Sequence, residues 1–418
     1  MKRRLRLYIV GIVLFAYFIS ISNAFSYLVI GDNSSIIPLE KRIYEVLKEH
    51  NLSERILNIE ALSFKDKVIV GISFFYGLLY VKDQSYIYQD LMDYTERLTK
   101  VVFHSFPNVS ELDLSGIFKY NHNTEKQYEE PTFTTSITRK DFERLYSEDI
   151  PFDLFLDRTG RVYYSDALLL DDISSLKSES YIEENSNREK APQKKGLFAK
   201  LREFWAILRR VNKGGIYKNA VWRGNPHLKE IAITFDDGPR PVYTPIILDI
   251  LNRYSVKATF FIIGKRALIY HYFVRDMLSS GHTVGNHTMH HLNLTLLSYD
   301  KKRDEILDAQ SVIYTLTGSK CRYFRPPGGD YDWEVEKIAN DNSLLLVLWT
   351  KKLGDYLIPQ EEANILLKKV KADVVPGAII VFHLGVKSTI EILPEFLDYV
   401  KKKGYRIVPL EKLIEDAR

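Results

Sequence analysis

From about residue 215 onward, short apolar runs and helix-like segments take turns, and that alternation restricts the fold more than any other feature of the chain. Strand-like runs lie at Ile231–Phe235, Ala258–Ile263, Thr283–Asn286, Tyr323–Arg325, Leu344–Trp349, Ala378–Phe382 and Arg406–Pro409. Helix-like segments at Pro245–Tyr254, Leu268–Ser279, Asp300–Thr317, Glu334–Asp341, Pro359–Val370 and Thr389–Lys402 separate several of them. Such alternation over roughly 200 residues predicts an α/β fold, a parallel sheet with covering helices that is open or closed into a barrel. In a barrel the C-terminal ends of the strands share one face, where active sites are built.

Polar motifs gather at those strand ends: Asp236-Asp237-Gly238-Pro239, His287-Thr288-Met289-His290-His291, Arg325-Pro326-Pro327-Gly328-Gly329, Asp355-Tyr356 and His383. Asp237, His287 and His291 supply one carboxylate and two imidazoles, a common set for a divalent metal with open positions. The spacing of the histidines predicts both on one side of a helical turn. Consecutive strand side chains point to opposite sides, so Asp236 is expected to stay off the metal. A slight turn at Gly238-Pro239 leaves its carboxylate close enough to activate water as a general base.

His383 closes an apolar run and is expected at the rim of the same site, placed to protonate a departing amine. Asp355 is placed to pair with it and raise its pKa. Arg325 is expected to hold Asp236 ionised and oriented, and the Gly328 N–H is a candidate oxyanion donor. His282 and His290 read as supporting or structural residues. Two histidines and a carboxylate also hold non-haem iron in oxygenases; the additional Asp236 and His383 argue for hydrolysis.

Over about residues 215 to 418, these motifs and their order resemble the polysaccharide deacetylase family, which shares the NodB homology domain (carbohydrate esterase family 4). The resemblance implies a distorted (β/α) barrel and a divalent ion, zinc ahead of Co2+, Ni2+ or Mn2+. It also implies hydrolysis of N-acetylated amino sugars with release of acetate. Carried over, Asp236 is the base, Asp237, His287 and His291 are the metal ligands, Arg325 orients the base and His383 is the acid. The fourth motif departs from the family pattern. Lys352 stands where an aspartate is usual, and Tyr356 replaces a tryptophan that lines the sugar or acetyl pocket, while Asp355 keeps the residue expected to support His383. Val381 replaces a leucine, a conservative exchange of apolar bulk.

The first half of the chain is less explicit. Arg3, Arg4 and Arg6 precede an uncharged stretch from Leu7 to Gly31, so residues 1–31 read as a signal peptide or a transmembrane anchor, placing the rest outside the cytoplasm. Residues 32–170 read as a smaller α+β domain of unassigned role, with strand-like runs at Lys67–Ile72, Pro131–Ile137 and Arg161–Tyr164 and a helical pattern from Tyr86 to Phe106. His104, His122 and the scattered acids of this domain are expected to be solvated. Residues 171–214 join a polar linker to a basic amphipathic helix, Leu197 to Val211, that docks on the following domain or lies on an anionic membrane. A net charge of +4 over 418 residues gives no case for nucleic acid, and the single Cys321 excludes an internal disulfide.

These features lead to an exported, metal-dependent deacetylase acting on an N-acetylated polysaccharide such as peptidoglycan or another N-acetylglucosamine polymer. The alternative is a carbohydrate-binding or cell-envelope interaction protein with the same fold and little turnover.

Overall fold

The computed structural model describes residues 37–78, 84–119, 131–148, 150–165, 216–217, 220–351 and 362–417. Residues 1–31, the polar linker with its basic helix, His122, Asp355 and Tyr356 lie outside the described residues. Among the described residues, no helix is long and apolar enough to cross a membrane.

The first half of the chain forms a five-stranded sheet. Its strands are β1 (Ile56–Phe64), β2 (Lys67–Leu78), β3 (Glu111–Lys119), β4 (Pro131–Thr138) and β5 (Val162–Tyr164), in spatial order β1-β2-β3-β4-β5. The β2–β3 pair is parallel and the other pairs are antiparallel. In β3, Leu112 and Leu114 share a core with Val70, Ile72 and Phe133, packed with residues of helices Leu39–Glu49, Gln84–Ser105, Arg139–Glu148 and Phe152–Thr159. Because side chains alternate across a strand, Glu111, Asp113 and Ser115 take the opposite face.

That polar face meets the second half of the chain. Tyr243 Oη donates to Glu60 Oε1 at 2.5 Å, Val242 N–H donates to Asp113 Oδ2 at 2.7 Å, and Thr134 Oγ1 donates to Ile269 O at 3.0 Å. Arg161 bridges Glu111 at 2.8 Å and Asp276 at 2.7 Å. Leu62 and Ile69 join the apolar core of the second half. The expectation that the acids here are solvated is therefore wrong for Glu111 and Asp113, which are buried. They tolerate burial because backbone N–H groups, hydroxyls and Arg161 face them. His104 is exposed as expected, its Nδ1 at 2.8 Å from Lys100 O.

The second sheet follows the alternation read from the sequence. It comprises β6 (Ile216–Tyr217), β7 (Ala220–Val221), β8 (Glu230–Gly238), β9 (Thr259–Ile262), β10 (Thr283–Asn286), β11 (Tyr323–Phe324), β12 (Leu345–Val347), β13 (Ala378–His383) and β14 (Arg406–Ile407). Their order is β13-β8-β9-β10-β11-β12-β7-β6, with β14 also on β8. All of these pairs are parallel except the β6–β7 hairpin, which the sequence reading did not anticipate. The sheet curls until its two sides meet: Arg223 bridges Ala378, Gly224 N–H donates to Gly377 O at 2.7 Å, and Thr350 N–H donates to Ile379 O at 3.1 Å.

Helices cover the curled sheet, so its strands are near-continuous apolar runs. Phe235 stacks on Phe260 with ring centroids 5.2 Å apart and on Phe382 at 5.7 Å. Each fully buried aromatic of this kind contributes about 1.5–3 kcal/mol. The helix expected at Leu268–Ser279 is instead two, Gly264–Ile269 and His271–Ser279, broken at Tyr270. The other expected helices occur within a few residues of their predicted limits, with the start of the Pro359–Val370 segment outside the described residues.

Candidate active site

A bulge at the end of β8 solves the problem posed by two adjacent aspartates. The β8–β9 register shifts between Phe235 and Gly238, and Asp237 adopts φ +67°. An extra residue in a strand re-aims the side chains beside it. Both carboxylates consequently face His287, whose Nε2 lies 3.4 Å from Asp237 Oδ1 and 3.9 Å from Asp236 Oδ2. The turn expected at Gly238-Pro239 thus begins two residues earlier, and the Gly238–Pro239 bond is cis.

His287 and His291 converge without a helix. His287 follows β10, and a loop with left-handed backbone at Thr288 (φ +66°) and His291 (φ +61°) brings the rings to 4.9 Å between centroids. The helical turn inferred from their spacing is therefore corrected. Thr288 Oγ1 accepts from His291 N–H at 3.0 Å and helps fix the loop.

The donor set suits a cation. His287 Nδ1 lies 2.7 Å from Arg325 O, so in a neutral ring it carries the proton and Nε2 turns a lone pair toward Asp237. His291 Nε2 is 3.1 Å from the same Asp237 Oδ1. That oxygen is buried with no hydrogen-bond partner among the described residues. One ligand atom from each of the three residues lies within 4.8 Å of the others. Burial pushes the Asp237 carboxyl up, but His287 and His291 beside it, when protonated, outweigh that and hold the group well below the usual carboxylate range. The cluster therefore fits a divalent ion.

Asp236 has a separate partner. Arg325, entirely buried just past β11, places Nη1 2.6 Å from Asp236 Oδ1 and 2.8 Å from Thr234 Oγ1. Its Nε donates to Val347 O at 3.0 Å and its Nη2 to Leu348 O at 3.2 Å. The guanidinium also lies 4.0 Å over the Phe261 ring. Burial lowers the Arg325 pKa, with Asp236 opposing that shift. The expected Asp236–Arg325 contact is thus a buried, multiply hydrogen-bonded pair, which fixes orientation as well as charge.

The remaining expected residues divide. His383 ends β13 and pairs in register with Asp236 on β8, so its backbone lies beside the acid pair. Gly328 sits in the turn after Arg325 with φ +65°. His282 is buried in the core, its Nδ1 accepting from Ala258 N–H at 3.1 Å; burial and Lys257 push its pKa down to about 4. His290 turns away toward Glu305 at 2.7 Å. Cys321 is a packing residue, its buried thiol pushed up to about 12 and directed at Tyr323 O at 2.9 Å.

Several contributors escaped the sequence reading. Thr234 ties Arg325 to β13 by donating to Ile380 O at 2.9 Å, and Arg266 Nη1 donates to Asp237 O at 2.6 Å. Trp349 lies against Gly329, where an added Cβ would meet the indole at 2.7 Å. An aromatic at the end of the Leu344–Trp349 run was a visible signal for a rim residue. Thr234 and Arg266 carried none, since both act through contacts distant in sequence.

The polysaccharide deacetylase family profile matches residues 223–347. A peptidoglycan-N-acetylglucosamine deacetylase of Bacillus cereus is 38% identical over 201 residues, covering 46% of this chain and 92% of that protein. The peptidoglycan-N-acetylmuramic acid deacetylase PdaA of Bacillus subtilis is 31% identical over 202 residues, covering 47% and 75% respectively. A solved carbohydrate esterase family 4 pseudoenzyme from Bacillus anthracis is 32% identical, with a TM-score of 0.46 over 49% of this chain and 71% of that one.

Proposed function

The chain belongs to the polysaccharide deacetylase family and is an N-deacetylase, and on that premise we propose that it removes acetyl groups from N-acetylated sugars of peptidoglycan outside the cytoplasm. The wall polymer is inferred from the relatives, which are named for peptidoglycan, and the location from the basic and apolar start of the sequence. The observation that carries the reading is the division of labour at the strand ends. Asp237, His287 and His291 form one cluster, while Asp236 is reserved by Arg325 at 2.6 Å.

Asp237, His287 and His291 would hold a divalent ion, zinc being the best match to a set of two imidazoles and a carboxylate. Such an ion polarises a carbonyl and acidifies water. Asp236 takes the proton from the attacking water, kept in place by Arg325 and, through it, by Thr234. The Gly328 N–H, presented by a left-handed turn, donates to the carbonyl oxygen as negative charge develops there. His383 gives a proton to the amine nitrogen as the carbon–nitrogen bond breaks, with Asp355 as its supporting carboxylate. Products are acetate and a free amino sugar.

Retention of both aspartates, both histidines, Arg325 and His383 favours turnover over a binding-only role. The test is acetate release from purified wall polymer and from N-acetylated oligosaccharides, by the untreated chain, the chelator-treated chain and Asp236→Asn. Release by the untreated chain alone is the expected result; equal release by all three would refute the mechanism.

A further inference from the structure

The cluster of Asp237 and His291 opens into a cavity of about 810 Å³, and the far wall of that cavity belongs to the N-terminal sheet. Asn58 of β1, Ser73 of β2 and Asp113 of β3 line it on one side, facing Arg240 and Lys265 on the other. We propose that the polar face of the N-terminal sheet is a glycan-binding wall that holds sugar units flanking the one being deacetylated. This rests on the deacetylase reading above and adds to it the part of the chain that grips the polymer.

The size is right for an extended ligand, since cavities that enclose small molecules run from about 300 to 1,000 Å³. The chemistry of the lining is equally selective. Cations and acids are interspersed with neutral amide and hydroxyl groups, which suits neither a purely anionic nor an apolar occupant. A sugar hydroxyl both donates and accepts. Both halves of that capacity are present in the lining: Arg240 and Lys265 carry donors, and Asn58 and Ser73 carry acceptors as well as donors.

The wall is also fixed relative to the chemistry. Asp113 Oδ2 accepts from Val242 N–H at 2.7 Å, and Val242 follows the Asp-Asp-Gly-Pro segment by a few residues. Gly71 of β2 packs so closely on Val242 that an added Cβ would lie 2.6 Å from Val242 Cγ2. A polymer lying along the sheet would thus be registered against Asp236 and Asp237 by a direct contact between the two halves.

The test uses the full chain carrying Asp236→Asn, which keeps an oxygen acceptor for Arg325 and binds without turning over. An N-acetylglucosamine disaccharide and hexasaccharide are titrated calorimetrically into it, alone and with Ser73→Trp or Asn58→Ala added. The proposal expects the hexasaccharide to bind at least about tenfold more tightly than the disaccharide, a difference of about 1.4 kcal/mol that one or two net hydrogen bonds supply. Ser73→Trp fills the cleft and should remove most of that advantage, and Asn58→Ala, at an exposed position, should reduce it without affecting folding. If Ser73→Trp does not fold, as judged by melting, the Asn58→Ala result decides. No length advantage, or one untouched by the wall substitutions, overturns the proposal. Acetate release from Asp236-intact protein is measured in parallel: wall-dependent binding with no release would defeat the deacetylase reading and leave the glycan wall standing.

Discussion

Replacing Arg325 by methionine tests the site most directly, because the guanidinium is buried and its partners are known. The substitution keeps apolar bulk over Phe261 but removes the donors to Asp236, Thr234, Val347 O and Leu348 O. Breaking a buried ion pair by removing one partner costs about 3–5 kcal/mol, because the other charge stays buried alone. The two backbone carbonyls add to this unless water reaches them, so a loss of about 4 kcal/mol is a fair central value. A domain stable by about 5–15 kcal/mol would survive that loss, with melting lowered by on the order of 10 °C.

Activity should fall further than stability. Asp236 would keep its place in the chain but lose the fork that aims it, and small misplacements of a catalytic group can cost about 100-fold. The expected result is therefore kcat reduced about 100-fold per folded molecule with KM little changed, the pattern of a group that acts in the transition state. Acetate release at a temperature well below the lowered melting point, normalised to folded protein, measures it. Arg325→Lys keeps the charge yet cannot reach all four partners, and should recover part of the stability and little of the rate. If Arg325→Met lost activity only in proportion to its folded fraction, the assignment of Arg325 as the residue that orients the base would be wrong.

Further outcomes follow from other contacts. Chelation should abolish acetate release and lower the melting temperature, since a ligand at 1,000 times its Kd stabilises by about 4 kcal/mol; re-added zinc should restore both. Asp113→Asn keeps an acceptor for Val242 N–H but cannot ionise. Burial and Glu111 raise the folded pKa of Asp113 above its unfolded value, so its contribution to stability is full in acid and is lost as pH rises through the folded value. Denaturant unfolding across that window should show a smaller decline for Asp113→Asn than for the parent. Gly71→Val would place a side chain into Val242 Cγ2 at 2.6 Å, and the overpacking should cost about 1–3 kcal/mol, visible as a lowered denaturation midpoint. Gly329→Ala meets both a left-handed φ of +74° and Trp349 at 2.7 Å, and should lose about 1–3 kcal/mol, with shifted Trp fluorescence.

Much of the second half was legible because its strands are apolar on both faces and its helices are long enough to show their own period. Thr283–Asn286 was located to the residue, and the motifs within the described residues fell at strand ends as parallel topology requires. Local geometry was less accessible. Nothing in Phe235-Asp236-Asp237-Gly238 announces a bulge, because a bulge is set by register with a partner strand. Likewise the loop joining His287 to His291 depends on left-handed residues that are not glycines. In the first half, β3 was missed although Glu111-Leu112-Asp113-Leu114-Ser115 alternates cleanly; its polar members are buried by another part of the chain, a contact invisible to any local pattern.

Val242 has φ +62° although its side chain is β-branched and buried, a conformation that such a residue rarely adopts unless its surroundings enforce it. The enforcing contact comes from Asp113, 129 positions earlier in the chain. During synthesis the prop is thus already in existence before the loop it supports has emerged, the order in which multidomain chains commonly fold. An excised fragment starting near residue 220 would retain Asp237, His287 and His291 while lacking the clamp on the segment that follows Asp236 and Asp237. Boundaries drawn from the family profile alone would therefore cut away part of the scaffold of the active site, and a weakly active fragment would say little about the intact enzyme.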